Sequence, residues 1–288
     1  KKMTNPYLIK EPSVISFSGG RTSALMLYKM LEANNGLPEI AKVAFANTGK
    51  EMPETLDFVQ ECSQQWGVQI NWLELDVIIN EEGKYKYATK IVDYKSASRK
   101  GEPFSALIES KNYTPNPVAR FCTQELKILR QIEFMKVFFD HWTAFIGIRA
   151  DETRRAKKIH NKQIKYQDQF CPLYVDGITK QEVSSFWKKQ KFDLKLPANN
   201  GATIWGNCDL CFLKGYGAKL SIIRERPDLA KWWIDQEKKM DNRTKQKHKG
   251  LSYFSKDHPS YSRMEVIASD QGKLFDFDDE SIPCFCGD

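Results

Sequence analysis

Short apolar runs alternate with amphipathic segments along the first part of the chain. Residues 13–17 form a β-prone run that ends at a Gly-Gly pair, and residues 24–31 follow with apolar positions at helical spacing. The same order recurs, with a predicted strand at 43–46, a helix at 53–66 that begins with proline, and a strand at 69–75. Strand–helix–strand units of this length predict right-handed crossovers and a parallel sheet.

The pattern weakens in the middle of the chain and then resumes. Residues 76–117 are polar, rich in lysine and interrupted by prolines, so we predict a mobile insertion that carries at most short helices. Apolar spacing then predicts a helix over 121–139 and a strand over 143–148. Two further helices are predicted over 180–189 and 220–240.

Composition and charge narrow the functional classes. With 41% apolar and 28% charged residues among 288, the chain is typical of a globular α/β protein. Residues 1–10 lack the apolar segment of a secretory signal and no apolar run approaches a membrane span, so we expect a cytoplasmic protein with no membrane partner. The net charge of +7 favours anionic partners such as nucleotides or nucleic acid, and the basic stretch 239–250 predicts a solvated or disordered face.

A glycine-rich turn between the first strand and helix is a candidate anion site. It consists of Ser18, Gly19, Gly20, Arg21, Thr22 and Ser23. Glycines let the backbone approach a ligand, and the free N–H groups of a helix start point at an anion. An ordinary glycine turn is the alternative for the Gly-Gly pair alone, but the hydroxyls, the arginine and the following helix favour phosphate. The spacing fits neither a Walker loop nor a dinucleotide fingerprint.

Several segments resemble one known family in the same order along the chain. SFSGGRTS is similar to the PP-loop, SGGx[DT]S, of the N-type ATP pyrophosphatases and the phosphoadenosine phosphosulfate (PAPS) reductase family. The other similar segments are Asn47-Thr48-Gly49 with Pro53-Glu54-Thr55, Arg120-Phe121-Cys122 with Leu126-Lys127, Gly147-Ile148-Arg149 with Asp151, Glu152 and Arg154, and Cys171-Pro172-Leu173 with Ile178-Thr179 and Val183. The resemblance covers residues 13–215.

The resemblance implies an α/β, adenine nucleotide alpha hydrolase-like fold with one open, five-stranded parallel sheet and a nucleotide across the strand ends. We expect this PP-loop domain to span 1–215 and a helical, cysteine-bearing extension to span 216–288. The nucleotide, ATP or PAPS with Mg²⁺, is expected on the PP-loop residues and on Asn47, Thr48, Gly49 and Glu54. Thr22 and Asn47 stand where Asp is common, which lowers negative charge and favours a polyanionic nucleotide held with less help from metal.

Basic side chains after the later strand suit the chemistry of phosphate or sulfate. Arg149 and Arg154 can fork onto such oxygens, and Lys127 can reach an anion in the same cleft. Asp151 and Glu152 would pair with these arginines or bind metal. The alternative to catalytic roles for Arg149, Arg154 and Lys127 is a solvated basic loop that binds no anion.

Seven cysteines, an odd number, indicate thiol or metal chemistry and not a disulfide scaffold. Cys208 and Cys211 form a C-x-x-C whose alternative is inert packing, and Cys62 is interpreted as a buried structural thiol. Resemblance to the cysteine layout of adenylyl-sulfate reductases implies a [4Fe–4S] cluster, with zinc as the chemical rival. The expected ligands are Cys122, Cys208, Cys211 and Cys284, with Cys171 in reserve.

Three functions are compatible with these features. In the first, ATP adenylylates an acceptor oxygen, pyrophosphate leaves, and a persulfide or cluster-bound sulfide displaces AMP, as family members do in tRNA thiolation and in DNA phosphorothioation for antiviral defence. Its partners would be DNA or tRNA, contacted by 231–250 and the lysines of 84–100, and a sulfur donor such as a cysteine desulfurase. In the second, Cys286 attacks PAPS or adenylyl sulfate, although the family's C-terminal E-C-G-[IL]-H is absent. The third is a nucleotide-binding regulator without turnover.

Overall fold

The carboxyl ends of parallel strands meet at one edge of a six-stranded sheet, whose order is β4-β3-β2-β1-β5-β6. The computed structural model describes residues 5–198, 203–244 and 252–270. The strands are β1 (Ser13–Ser16), β2 (Ala41–Ala46), β3 (Ile70–Ile79), β4 (Tyr85–Val92), β5 (Trp142–Ile146) and β6 (Gln167–Phe170). All neighbours pair in parallel except β3 and β4. The expected open α/β sheet is confirmed, with an antiparallel edge strand added to the five parallel ones.

Helices flank both faces of this sheet. They are α1 (Arg21–Asn34), α2 (Pro53–Trp66), α3 (Glu102–Lys111), α4 (Phe121–Thr123), α5 (Leu129–Met135), α6 (Thr153–His160), α7 (Pro172–Val175), α8 (Lys180–Trp187), α9 (Tyr216–Glu225), α10 (Ala230–Thr244) and α11 (Tyr261–Asp270). A π-helical turn, Gln124–Ile128, joins α4 to α5, and such turns often mark functional sites. Among the described residues, no helix combines the length and the apolar character needed to cross a membrane.

Side-chain alternation along the strands produces two apolar layers. On one face, Ile15 and Phe45 pack with residues of α1 and α2. On the other face, Val14 and Ala144 pack against Met135 and its neighbours in α5. Burial on both faces explains why the central strands β1, β2 and β5 are mainly apolar along their whole length.

The interpretation of residues 76–117 as carrying at most short helices was wrong. Strand β3 continues to Ile79 and pairs with the whole of β4, from Trp72 opposite Val92 to Ile79 opposite Tyr85. Helix α3 then adds 10 residues. The sequence signal was weak because β4 is a largely exposed edge strand, and edge strands carry the lysines that deter pairing with other chains.

The predicted helix over 220–240 is two helices. Helix α9 ends at Glu225 and α10 begins at Ala230, with a 3₁₀ turn at Pro227–Leu229 between them. Proline lacks the N–H of a helix interior and clashes with the preceding turn, which is why the helix divides there. Helix α10 continues to Thr244, so the start of the basic stretch 239–250 is helical, and the rest of it lies outside the described residues.

Candidate functional site

The turn between β1 and α1 has the geometry of a phosphate loop. Gly19 has φ +81°, a conformation that residues other than glycine rarely adopt. Gly20 is the N-cap residue of α1, and because it has no side chain, no side chain of its own caps the first N–H groups of the helix. The backbone N–H of Ser18 donates to Ser23 Oγ at 3.1 Å, and Ser23 Oγ donates to the Gly20 carbonyl at 3.0 Å. The two serines therefore hold the loop in shape, and the start of α1 offers N–H groups to an anion.

Arg21 belongs to this loop but its side chain is engaged elsewhere. Its Nε donates to Asp193 Oδ1 at 2.7 Å and its Nη2 donates to Asp193 Oδ2 at 2.9 Å. A third bond runs from Nη2 to the Leu194 carbonyl. This fork ties residues 193–194 to the start of α1 through Nε and Nη2 of Arg21.

Arg149 is brought from the end of β5 to the phosphate loop. Its Nη1 donates to Thr22 Oγ1 at 3.4 Å, and its Nε donates to Asp151 Oδ1 at 3.0 Å. The Arg149 backbone N–H donates to Glu152 Oε2 at 3.0 Å. The close approach depends on Gly147, because a Cβ there would lie 3.0 Å from the Cα of Ser23.

The other two expected basic groups, Arg154 and Lys127, lie in different elements. Arg154 is in α6, which follows Arg149 in the chain, and its side chain is exposed. Lys127 is in the π-helical turn, with its Nζ 3.9 Å from Glu51 Oε1. Arg149 donates a hydrogen bond to the phosphate loop through Thr22.

Residues after β2 form a tight turn whose polar groups bond within the protein. Asn47 Nδ2 donates to Glu74 Oε1 at 2.6 Å and to the Ser98 carbonyl at 2.9 Å. Thr48 Oγ1 donates to the Glu51 carboxylate at 2.9 Å. Aspartate at position 47 would place a second carboxylate against Glu74, which is 2% exposed, so the amide is required by its neighbour. The part of Asn47 in binding a polyanionic nucleotide stays a prediction.

Two polar groups at the start of α2 have no hydrogen-bond partner among the described residues. They are Glu54 Oε2 and Thr55 Oγ1, and both are buried. Thr55 lies beside the phosphate loop, because a Cβ on Gly19 would be 2.7 Å from Thr55 Cγ2. An unpaired buried polar group costs about 1–3 kcal/mol, so these oxygens suit a ligand hydroxyl or a hard cation such as Mg²⁺.

A cleft opens at the same sheet edge, on the face opposite α1. It lies between the strand ends and the helical segment that contains α4, the π-helical turn and α5. Its walls are Ser16, Phe17, Ser18, Ala46, Thr123, Lys127, Ile128, Gln131, Ala144, Ile146, Gly147, Gln167 and Gln169. Both amide atoms of Gln169 are buried and have no partner among the described residues, a feature that the sequence analysis missed.

The C-x-x-C loop docks on the turn after β2. Cys208 forms a β-bridge with Glu51, and its Sγ lies 3.4 Å from Thr48 Oγ1. Lys50 Nζ and Asp209 Oδ2 form a 2.7 Å ion pair in which both side chains are less than a tenth exposed. The structure therefore places Cys208 at the sheet edge that carries the phosphate loop.

Helices α10 and α11 hold the C-x-x-C loop through hydrogen bonds. Trp233 Nε1 donates to Asp209 Oδ1 at 2.8 Å, and Tyr261 Oη donates to the Leu210 carbonyl. Lys219 is buried, and its Nζ lies 2.7 Å from His258 Nδ1. Desolvation lowers the pKa of Lys219 to about 8, while the nearby Cys211 acts in the opposite direction. The sequence showed no sign of this support, because its partners are far apart in the chain.

The proposed metal ligands are only partly described. Within residues 5–198, 203–244 and 252–270, no group of three or more His, Cys, Asp and Glu side chains is arranged to hold a metal ion. Cys284 and Cys286 lie outside the described residues. Cys171, the reserve ligand, packs with Ile148 in a core cluster, and burial raises its pKa to about 12, which disfavours a thiolate. Burial also raises the pKa of Cys62, as expected for a structural thiol.

Two known proteins are similar to this chain in sequence. The nin region protein ORF290 of Escherichia phage lambda is 32% identical over 210 residues, which are 70% of this chain and 66% of that protein. Protein MJ0066 of Methanocaldococcus jannaschii is 27% identical over 229 residues, 78% of this chain and 41% of that protein. The chain thus spans under two thirds of the length of either relative.

Among solved structures, the U34-tRNA thiolase NcsA from Methanococcus maripaludis, with its [4Fe–4S] cluster, aligns with a TM-score of 0.43 and 15% identity. That alignment covers 93% of this chain and 73% of the thiolase. The phosphoadenosine phosphosulfate reductase domain matches residues 12–195, which include the phosphate loop, Arg149 and the turn after β2. The chain therefore belongs to the phosphoadenosine phosphosulfate reductase domain family.

Proposed function

We propose that this protein binds an adenine nucleotide at the phosphate loop and uses it to activate an acceptor for sulfur transfer. The observation that carries the proposal is the convergence at one sheet edge of the phosphate loop, Arg149 and the C-x-x-C loop. Membership of the PAPS reductase family supports a nucleotide-activating or sulfur-transfer role.

The proposed reaction has two steps, adenylylation of the acceptor and displacement of AMP by sulfur. An acceptor oxygen attacks the α-phosphate of ATP, the bond to the β-phosphate breaks, and pyrophosphate leaves with the electron pair. Sulfide then displaces AMP from the adenylylated acceptor, and AMP leaves with the electron pair of the broken bond. A persulfide would instead form a disulfide with the acceptor, which a second thiol must cleave to release the thiolated product. The N–H groups at the start of α1 hold the phosphates and Arg149 forks onto the reacting one. Mg²⁺ would supply charge neutralisation, with Glu54 Oε2 as its protein ligand.

The sulfur-handling part of the proposal involves the cysteines. We assign Cys122, Cys208, Cys211 and Cys284 to a [4Fe–4S] cluster, or to zinc, and Cys286 to sulfur delivery from a donor such as a cysteine desulfurase. The docked C-x-x-C loop supports this assignment because it holds Cys208 at the sheet edge that carries the phosphate loop.

Removing one proposed ligand tests the cluster. Cys208→Ser should lower the iron content and the visible absorption of anaerobically purified protein by more than half, because the cluster loses one of its proposed thiolate ligands. Cys62→Ser is the matched control, since that thiol is buried in the core. Equal iron in both variants, or stoichiometric zinc and no iron in the parent, contradicts the cluster.

Two basic segments border the phosphate loop and support a nucleic-acid acceptor. Helix α6 contains no acidic residue and exposes Arg154, Lys157 and Lys158. The exposed lysines of residues 188–195 are tied to the loop through the bond between Arg21 and Asp193. Phosphodiester chains bind such surfaces through counterion release. We therefore propose DNA or tRNA thiolation, including DNA phosphorothioation in antiviral defence.

The two segments named from the sequence also stay candidates for contacts with nucleic acid. In residues 84–100, Lys84 is paired with Glu82. In residues 231–250, Lys231 is paired with Asp235 and Lys239 with Glu109. Helix α6 is partly offset in the same way, because Arg155 is paired with Glu152 just before the helix.

Pyrophosphate release from ATP tests the proposed activity. We expect anaerobic protein to release pyrophosphate and to do so faster with DNA or tRNA present. Arg149→Lys should reduce the rate by about tenfold or more, because lysine does not reproduce a bidentate fork worth about 1.5–3 kcal/mol. Arg226→Lys, in an exposed pair with Asp228, is the control and should change little. An unchanged rate in Arg149→Ala would remove this role.

The family match also favours a second candidate, reduction of PAPS or adenylyl sulfate. Arg149 suits a sulfate as well as a phosphate. Sulfite release from either compound without pyrophosphate release from ATP would favour the reductase. Nucleotide binding with neither product would indicate a regulator.

A further inference from the structure

The crossover from β5 to β6 carries positive charge along its whole length. Residues 153–167 contain six lysines and arginines and no aspartate or glutamate, and all the lysines among them are exposed. The acidic residues that flank this stretch, Glu152 and Asp168, are each bonded to another side chain. Because β5 and β6 are parallel, the crossover returns the chain from the sheet edge of the phosphate loop to the opposite edge. A basic surface therefore leads from the phosphate loop to Tyr166, just before β6.

Two ammonium groups converge on Tyr166 at this opposite edge. Lys165 Nζ lies 4.8 Å from the centroid of the Tyr166 ring, and Lys136 Nζ, at the end of α5, lies 4.7 Å from it. Both lysines are exposed, and neither forms an ion pair within the described part of the chain. The ring attracts each cation but supplies no counter-charge, so the mutual repulsion of the two ammonium groups favours a bound anion.

The hydroxyl of Tyr166 lies in a positive potential. Lys165 lowers the pKa of this hydroxyl through a hydrogen bond, and the charge of Lys136 lowers it further. A phenol that accepts a bond from an ammonium group can still donate its own O–H. An oxyanion at this position can therefore accept one O–H bond and charge-assisted N–H bonds from both lysines. Tyr166, Lys136 and Lys165 are called the Tyr166 site below.

Tyr166 keeps a large side chain at a position that suits glycine. The N–H of Gln167 donates to the Ile164 carbonyl at 3.3 Å and closes a turn whose third residue is Tyr166. Its φ of +76° favours glycine or asparagine at this position of a turn. The ring also lies nearly parallel to that of Trp142, with the centroids 6.5 Å apart. Strained backbone at a residue other than glycine occurs most often at functional sites, so the strain supports a role for the tyrosine side chain.

We propose that the Tyr166 site binds a backbone phosphate of a nucleic acid that extends along the β5–β6 crossover from the phosphate loop. This inference rests on the proposed function, in which a nucleic acid is the acceptor. Strand β5 has five residues, so at about 3.3 Å per residue the Tyr166 site lies roughly 15 Å from the sheet edge of the phosphate loop. The site therefore positions the acceptor and takes no part in the reaction, and it is indifferent to base sequence.

Salt-dependent binding of nucleic acid tests the Tyr166 site. The probe is a fluorescein-labelled single-stranded DNA of about 20 nucleotides, with binding measured by anisotropy. Lys136→Ala combined with Lys165→Ala should weaken binding by about tenfold at low salt. It should also reduce the slope of log K against log salt by about 1.4, since each phosphate contact to a single strand contributes about 0.7. Lys10→Ala combined with Lys256→Ala removes the same charge from exposed lysines outside the crossover and should leave the slope unchanged.

Two further measurements identify the ligand and the role of the hydroxyl. Tyr166→Phe keeps the ring beside Trp142, so it should unfold at the parental temperature and weaken DNA binding by about threefold or more. Inorganic phosphate added at constant ionic strength should not displace the DNA, because a single phosphate lacks the contacts made by the rest of the strand. Displacement from the parent protein but not from the double lysine variant would mean that the site takes free phosphate, which overturns the proposal.

The outcomes separate this inference from the proposed function. If the double lysine variant binds the DNA with the parental affinity and salt slope, or loses no more than the Lys10 and Lys256 control, the Tyr166 site is overturned. The proposed function, which is tested by pyrophosphate release, then stands. If the parent binds neither the DNA nor labelled tRNA, the nucleic-acid acceptor of the proposed function fails, and this inference fails with it.

Discussion

Gly19→Ala is expected to abolish nucleotide binding and to destabilise the protein. At φ +81° an L-residue is strained, and the new Cβ would lie 2.7 Å from Thr55 Cγ2 and 3.2 Å from both Phe45 and Val59. The loop must move to relieve this clash, which shifts the N–H groups at the start of α1 away from the phosphates. Titration calorimetry with ATP, together with thermal unfolding, measures the two effects.

Gly36 provides the matched control for this prediction. Its φ of +112° is also positive, but a Cβ there would have no atom within 4 Å. Gly36→Ala should therefore show backbone strain and retain ATP affinity. Wild-type affinity in a folded Gly19→Ala variant would mean that the nucleotide binds elsewhere.

Asp209→Ala should be among the most destabilising single substitutions in the chain. The Lys50 and Asp209 side chains are 7% and 4% exposed, so removing the carboxylate leaves a buried ammonium group without its counter-charge. Breaking a buried pair in this way costs about 3–5 kcal/mol in the free energy of unfolding. The bond from Trp233 Nε1 to Asp209 Oδ1 is also lost. Urea denaturation at neutral pH measures the change.

Two comparisons identify the cause of that loss. Asp209→Asn keeps an acceptor for Trp233 and removes only the charge, so it should still be clearly destabilising. Glu82→Ala breaks the exposed pair with Lys84 and should leave the unfolding midpoint almost unchanged. If Asp209→Ala unfolds at the same urea concentration as Glu82→Ala, the buried pair does not anchor the C-x-x-C loop.

Several predicted elements matched the structure because their signals are local. The helix predicted at 53–66 is α2, Pro53–Trp66, since proline at its first position and apolar residues at helical spacing are visible in the sequence. Strand β4 and the division between α9 and α10 were missed. Strand β4 is largely exposed, so its sequence lacks the regular apolar alternation that marks a buried strand. The division between α9 and α10 is caused by a single proline within a long apolar pattern.

The sequence by itself determined the strands β1, β2, β3 and β5, the helices α1 and α2, the glycine turn between β1 and α1, and the family. These depend on residues that are close together in the chain, where apolar spacing and the freedom of glycine at positive φ act directly. Only the tertiary structure decided that Arg21 bonds to Asp193, that Asn47 needs an amide beside Glu74, and that the amide of Gln169 is unpaired. Each of those outcomes depends on which distant side chains are buried together, because a polar group that is removed from water must find its partner nearby.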